Sequence, residues 1–453
     1  MSKPKEYSWM TKDKLMLYTF IALVIIAAVT IALWSQITPY DLITNTPFMN
    51  LGLAVAINCV VAVLIAVAID GFLHVVTADS PMNTLSAAVF GMIVALSYTM
   101  GVPGVATVEG SMMPLAGPSS FGYVALITLI GMVIFKKIGG IRGRKYVNPA
   151  AAAKFIVLLP FLYVVFIPVD HTLIPSLTTS IGYGSTSSFA AFAQFCFANP
   201  TPLRAGTIPP YNPADVFQTM FLEKFHGWSG GASSLAVIIV GIALFVIARR
   251  YIKWRITAAY IGATIVMSLL MTGIYGGDAA LRIMFELFIG SSIFLAFFMA
   301  TDPATSPLTY AGQGIFGVGL AVITVLLQTY ANFFGGSLLA LLIMNLTSPW
   351  LDKIGKLKPT TETKEPKLPR AIQQTAVKTY ECLRCGACMR VCCHKLSPIL
   401  IKTAFDKMDV EAMSKLNADY CTGCGHCSYV CPSRLDLKGA VLRSKAMLRQ
   451  EQQ

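Results

Sequence analysis

Charge is scarce in this 453-residue chain. Only 13 % of its residues are Asp, Glu, Lys or Arg, about half of the ~25 % usual in soluble domains. Hydrophobic residues make up 55 %, and the mean hydropathy is +0.65. With apolar runs near twenty residues long, that deficit excludes an ordinary soluble protein and indicates a polytopic membrane protein. A cleavable leader is not expected either. The first apolar run, 15–34, is too long for a signal-peptide core and has no small-residue cleavage site, so it is expected to remain as a helix. A Rossmann fingerprint is also lacking: the run Gly312 to Gly317 matches G-x-G-x-x-G but lies within an apolar span and opens no βαβ unit, so the primary electron donor or acceptor is expected to be a partner. Aromatic residues are too sparse in the basic C-terminal part to form a stacking surface, which excludes nucleic acid as a partner.

What is present is organised by hydropathy. Apolar segments at 15–34, 51–69, 84–101, 119–135, 151–169, 232–249, 256–274, 283–300, 313–329 and 334–350 predict an all-α bundle of about ten transmembrane helices, at about 20 residues per crossing of the bilayer. Basic residues gather on alternate connections: Lys3, Lys5, Lys12 and Lys14; Lys136, Lys137, Arg142, Arg144 and Lys145; "RRYIKWR"; and Lys353, Lys356 and Lys358. By the positive-inside rule both termini are expected to face the cytoplasm. The longest connection, 170–231, falls on the opposite side. It divides the helices into two sets of five, the arrangement of an inverted repeat.

The stretch "KIGKLKPTTETKEPKLPR" (Lys353 to Arg370) is polar and proline-bearing, and reads as an extended linker. The expected organisation is a transmembrane domain over 1–352, a linker over 353–370 and a small α+β domain over 371–453. From Asp352 onward there are 18 Lys and Arg against 10 Asp and Glu, so this part supplies +8 of the net +13. Such a tail suits anionic lipid headgroups or an acidic protein.

Nine of the eleven cysteines lie between Cys382 and Cys431. Cys382, Cys385, Cys388 and Cys392 form one C-x2-C-x2-C-x3-C run; Cys421, Cys424, Cys427 and Cys431 form a second. In runs of this kind the first three thiolates hold one face of a [4Fe-4S] cubane and the fourth ligates the other cluster. That sorts the ligands into Cys382, Cys385, Cys388 and Cys431 for cluster 1, and Cys421, Cys424, Cys427 and Cys392 for cluster 2. Zinc also accepts four cysteines from C-x2-C pairs, although zinc ribbons pair two short hairpins and not two runs of four. Either metal requires a reducing compartment. Cys393 stands where proline usually follows the last ligand, as Pro432 does in the second run. It is a packed spare thiol or a competitor of Cys392.

The cysteine-rich part resembles the C-terminal iron–sulfur module of the C subunit of Rnf electron-transport complexes, through "CLRCGACMRVC", "CTGCGHCSYVCPSRLDL" and Lys445. The membrane part resembles a different component, the Rnf D subunit and its relative, the B subunit of the sodium-pumping NADH:quinone reductase. "LSAAVFGMIVALS", "VNPAAAAKFIVLLP", "SSLAVIIVGIALFVIARRYIKWRIT" and "FFMATDPATSPLT" carry that resemblance, "ATDPATSP" most specifically. It implies FMN bound covalently through a phosphoester to a loop threonine, here Thr201 in "FANPTPLRAG". Asn199 and Pro200 depart from the family context, which leaves tight noncovalent flavin or none as alternatives; Thr186 is a weaker candidate. The resemblance also implies a second flavin such as riboflavin, other membrane and cytoplasmic subunits as partners, and a cytoplasmic carrier such as ferredoxin or an NAD(P)H-oxidising subunit.

Three charged residues in or beside the spans are candidates for ion or flavin contact. Lys154 and Glu286 are expected to snorkel to an interface unless they line an ion path. For Asp302 a capping role competes with flavin or ion contact. The expected function is that of an electron-transfer subunit of a membrane oxidoreductase and ion translocase, between a low-potential cytoplasmic carrier and membrane flavin. A conduit that does not pump, and a transporter with an iron–sulfur sensor, are the alternatives.

Overall fold

The computed structural model describes residues 6–35, 49–76, 83–98, 118–138, 146–166, 221–222, 228–275, 279–288, 292–330, 336–355, 366–369, 371–373 and 379–451. Helices occupy each of the ten apolar places. In the first half these are α1 (Lys12–Trp34), α2 (Leu51–Val76), α3 (Thr84–Ser97), α4 (Pro118–Ile130, continued as a π-helix over Gly131–Ile138) and α5 (Pro149–Phe166). The second half holds α6 (Ser234–Ile247), α7 (Trp254–Tyr275), α8 (Ala279–Phe288), α9 (Ser292–Phe294, continued as a π-helix over Leu295–Met299), α10 (Tyr310–Tyr330) and α11 (Gly336–Leu351).

Length separates these helices into two kinds. Lys12–Trp34, Leu51–Val76, Trp254–Ile274 and Tyr310–Thr329 are each long and apolar enough to cross a membrane alone. Arg282–Phe288 and Ser292–Met299 form a fifth such unit, bent by 59° at a break. Thr84–Ser97, Ser120–Lys136, Ser234–Ile247 and Gly336–Leu351 are shorter; fourteen residues rise only about 21 Å. Side chains such as Val75 (82 % exposed), Val246 (71 %) and Leu346 (61 %) point outward. That much exposed aliphatic surface is stable only against lipid. The chain is a multi-pass membrane protein.

A helix ending inside the apolar layer must have its carbonyls satisfied by protein. At the end of α3 this is done by a short 3₁₀ turn, Ser229–Gly231, and by Lys154. Ser229 N donates to Tyr98 O (3.1 Å), Ser229 Oγ to Ala95 O (3.0 Å), and Lys154 Nζ to Ser97 O (2.6 Å). The Lys154 ammonium also lies 4.1 Å from the centre of the Trp228 ring. The expectation that Lys154 snorkels is therefore overturned: it is 2 % exposed, held inward by a helix C-terminus, which attracts cations. Glu286 is likewise fully buried, with Oε1 accepting from Thr329 Oγ1 at 3.3 Å and, among the described residues, no hydrogen bond to Oε2.

Between apolar helices in lipid, close backbone approach replaces the hydrophobic effect as the source of association. A Cβ on Gly91 of α3 would lie 2.6 Å from Ala62 O of α2, and one on Gly317 of α10 would lie 2.6 Å from Ile256 O of α7. Each half thus has a helix pair that only glycine permits.

The C-terminal part follows as β2 (Ala371–Gln373), α12 (Ala387–Arg390), α13 (Pro398–Asp406), α14 (Val410–Lys415), α15 (His426–Val430) and α16 (Leu437–Glu451). β2 pairs antiparallel with β1 (Glu6–Ser8), in the register Glu6↔Gln373, Tyr7↔Ile372, Ser8↔Ala371. The N-terminal segment is thereby joined to the start of the C-terminal part.

Candidate metal centre and its seat on the membrane helices

The two cysteine runs fold alike. In the first, Arg384 and Gly386 have left-handed backbones (φ 53° and 73°); in the second, Gly423 and Gly425 do (φ 76° and 84°). Left-handed residues on both sides of the middle cysteine curl the chain around a concavity and turn amide N–H groups inward, the geometry of an anion-binding nest. Arg384 N donates to Cys382 Sγ (3.3 Å) and Gly423 N to Cys421 Sγ (3.4 Å). The fourth cysteines match too. Lys395 and Arg434, each three residues beyond, have φ of 55° and 53°, and each donates its N–H back to the cysteine carbonyl at 3.1 Å.

These curls close two cavities. Cys382, Cys385, Cys388 and Cys431 line one; Cys392, Cys421, Cys424 and Cys427 line the other. The fourth cysteine of each run crosses to the opposite cavity. The two cavities are alike in size, about 20 Å³ each, so they suit one kind of guest. Burial first, and then the neighbouring sulfurs, pushes Cys427 and Cys431 up to about 12. Four soft sulfurs so crowded are stabilised as thiolates by a cation among them. The donor sets thus fit a thiolate-bound metal group.

Cys393 is not packed away from this chemistry. Its Sγ lies 3.3 Å from His426 Nδ1, and ligand atoms of Cys393, Cys424 and His426 lie within 4.8 Å of one another. The spacing of the cysteines did not single out His426, which reaches this group because Gly425 turns the chain at the start of α15.

The first cavity sits directly on the membrane helices. Arg384 Nη2 pairs with Asp352 Oδ2 at 3.0 Å, and Asp352 Oδ1 accepts from Leu308 N at 2.7 Å. Leu308 packs in one buried cluster with Cys388, Cys431, Ile399 and Leu437. Cys385 shares another with Met10, Leu15, Ala248 and Tyr251. Beneath lies Lys253, 1 % exposed, whose Nζ donates to Pro303 O (2.9 Å), Ser306 O (2.8 Å) and Ser306 Oγ (3.0 Å). Burial and then the Arg384 guanidinium pull its pKa down to about 7, against the carboxylates of Asp352 and Asp302. Lys12 N donates to Pro432 O (3.1 Å) and Tyr380 OH to Asp13. By contrast, every residue lining the second cavity lies between Cys392 and Val441.

Sequence comparison decides what the membrane part is, since residues 2–360 match the profile of one family across most of the chain. The chain belongs to the NQR2, RnfD, RnfE family. Among its relatives, the chain is 27 % identical over 281 residues to the D subunit of the Na(+)-translocating ferredoxin:NAD(+) oxidoreductase complex of Acetobacterium woodii, covering 61 % of this chain and 72 % of that one. It is 33 % identical over 141 residues to the D subunit of the proton-translocating ferredoxin:NAD(+) oxidoreductase complex of Clostridium ljungdahlii (30 % and 41 % covered). To the B subunit of the Na(+)-translocating NADH-quinone reductase of Ectopseudomonas mendocina it is 29 % identical over 233 residues (51 % and 53 % covered).

Within the family part, Asp302 closes its own loop. Its Oδ1 accepts from Ala304 N (3.3 Å) and its Oδ2 from Thr305 Oγ1 (3.1 Å), the turn-capping pattern of a short acid. Asp302 also lines a cavity with Leu15, Asn148, Tyr251, Phe297 and Phe298. Tyr251 therefore lines this cavity and belongs to the buried cluster that holds Cys385. Thr201 and Thr186 lie outside the described residues.

Proposed function

We propose that this chain is an electron-transfer subunit of an Rnf-like, ion-translocating membrane oxidoreductase, bearing its own two-cluster module at the C-terminus. The observation that carries the reading is the pair of four-cysteine cavities, one of them packed on Leu308, the residue that follows "ATDPATSP". Membership of the family, and relatives named as subunits of ion-translocating oxidoreductase complexes, support the rest.

The division at 352/353 and 370/371, the ten crossings in two antiparallel sets of five, and the cytoplasmic face for both termini belong to this reading. So do the ligand sets of cluster 1 and cluster 2, with iron in preference to zinc. Two [4Fe-4S] clusters supply one-electron relay between water and membrane. The protein's own part is to hold them in place. Left-handed turns aim N–H groups at the sulfurs, Arg384 and Asp352 fix the first cavity against the helices, and Leu308, Leu437 and Ile399 keep water from it. The cavity between Tyr251 and Asp302 is the place for a membrane-side acceptor, in keeping with a second flavin such as riboflavin. FMN on Thr201 completes the set as the family pattern implies. A cytoplasmic electron carrier or an NAD(P)H-oxidising subunit supplies or accepts the electrons.

Anaerobic purification tests this directly. The protein should carry about eight iron atoms and, once reduced, show interacting paramagnetic centres, as two adjacent clusters require. Fluorescence after denaturing electrophoresis, followed by mass measurement of the Phe197–Arg204 peptide, tests Thr201. Zinc in place of iron would reject the cluster reading, and electron flow in vesicles without an ion gradient would reduce the protein to a conduit.

A further inference from the structure

We infer that the second cavity opens onto a docking face for an acidic, one-electron carrier protein, built from one stripe of α16. The inference rests on the proposed cluster 2 and names the partner chemistry at its outer side.

Lys438, Leu442, Lys445 and Arg449 follow one another at steps of four, three and four, so they share one face of α16. Lys438 lines the second cavity, and a Cβ on Gly425 would meet its Cδ at 3.6 Å. Leu442, Lys445 and Arg449 line an open groove that continues from Cys421 and Thr422. Lys445 Nζ donates to Cys421 O at 2.9 Å, tying the stripe to the cysteine loop. Lys438 and Arg449 are exposed, and so is Cys424, the middle ligand of its run. Two acids flank this rim in sequence, exposed Asp419 two residues before Cys421 and half-buried Asp436 two before Lys438, where Asp436 accepts from Gly439 N. The result is an exposed sulfur beside a basic groove with an apolar floor at Leu442.

This face is poorly placed for lipid. The first cavity packs on Leu308, Leu15 and Ala248, whereas the lining of the second comes wholly from the C-terminal part. A partner from water with carboxylates around its own redox centre matches the groove in charge and meets Cys424 at short range. Complementary charge raises the encounter rate and fixes the orientation of such short-lived complexes. Cys421, Cys424, Cys427 and Cys392 would hold the group that exchanges one electron with the docked carrier, one side being oxidised as the other is reduced.

The test uses the full chain in nanodiscs of phosphatidylcholine, with an acidic two-cluster ferredoxin as probe and surface plasmon resonance as readout. Binding should weaken steeply with added salt. Arg449→Glu should raise Kd on the order of tenfold at low salt and Gln450→Glu, in the same groove, should raise it less, both with iron content unchanged. Binding that ignores salt and both substitutions overturns the docking face. So does loss of binding when a third of the lipid is replaced by phosphatidylserine, because the stripe is then held by the membrane. Iron content separates the two readings: a chain without iron rejects the clusters themselves, whatever the probe does.

Discussion

Arg384, lying between Cys382 and Cys385, pairs at 3.0 Å with Asp352, just beyond the last membrane helix. Both side chains are over nine-tenths buried. The pair therefore ties the position of the cysteine module to that of α11, across more than thirty residues of chain.

Removing one partner of a buried pair leaves the other charge without compensation, at a cost of about 3–5 kcal/mol. Arg384→Ala should therefore loosen the C-terminal part from the helices. Limited proteolysis at the 356–370 stretch should speed up, and the melting temperature should fall. Asp352→Asn should be milder, because its amide oxygen can still accept from Leu308 N. Unchanged proteolysis in Arg384→Ala would show that the seat rests on apolar packing alone.

The exchange of fourth cysteines gives a crossed pattern. Cys431→Ser should remove the iron held by the first run, and Cys392→Ser that of the second, each halving an initial content of about eight. Cys393→Ser should keep the full iron content. Its contact with His426 Nδ1 makes it a neighbour of the second group, so a lost cluster in this variant would make it a ligand instead.

Lys253 donates to three acceptors on the Pro303–Ser306 turn. Lys253→Met keeps the apolar stem and strands those acceptors, at about 1–3 kcal/mol for each one left unsatisfied. The purified protein should melt several degrees lower. A shift of under one degree would mean that water replaces the ammonium.

Lys154 serves the end of α3 in the same way. Lys154→Met removes the donor to Ser97 O and the cation over Trp228, so a loss of about 1–3 kcal/mol is expected. Tryptophan fluorescence should shift as Trp228 loses its charged neighbour. An unaltered spectrum together with unaltered stability would contradict the buried position of the ammonium.

Much of the membrane bundle was legible in the sequence, because burial in lipid writes itself as unbroken apolar runs. Hydropathy put a helix at each of ten places. The two runs also left a trace in the sequence: two-residue gaps leave little freedom in which thiols meet, and the eight cysteines line two cavities in sets of four. Other features were out of reach. Lys154 and Glu286 looked like snorkelling residues because charge in a sequence does not say whether a partner waits inside; Ser97 O and Thr329 Oγ1 come from other helices. Lys253 sat in a loop whose basic residues were read as marking the cytoplasmic side, yet one of them is buried under Arg384. His426 joined Cys393 and Cys424 only through the left-handed turn at Gly425. The sequence by itself determined the apolar helices and the clustering of thiols, because both follow from contacts between near neighbours in the chain. Tertiary structure alone decided the seat of the module, through β1 with β2, Arg384 with Asp352 and Tyr251 with Cys385, because those partners lie far apart in sequence and meet only when the bundle is assembled.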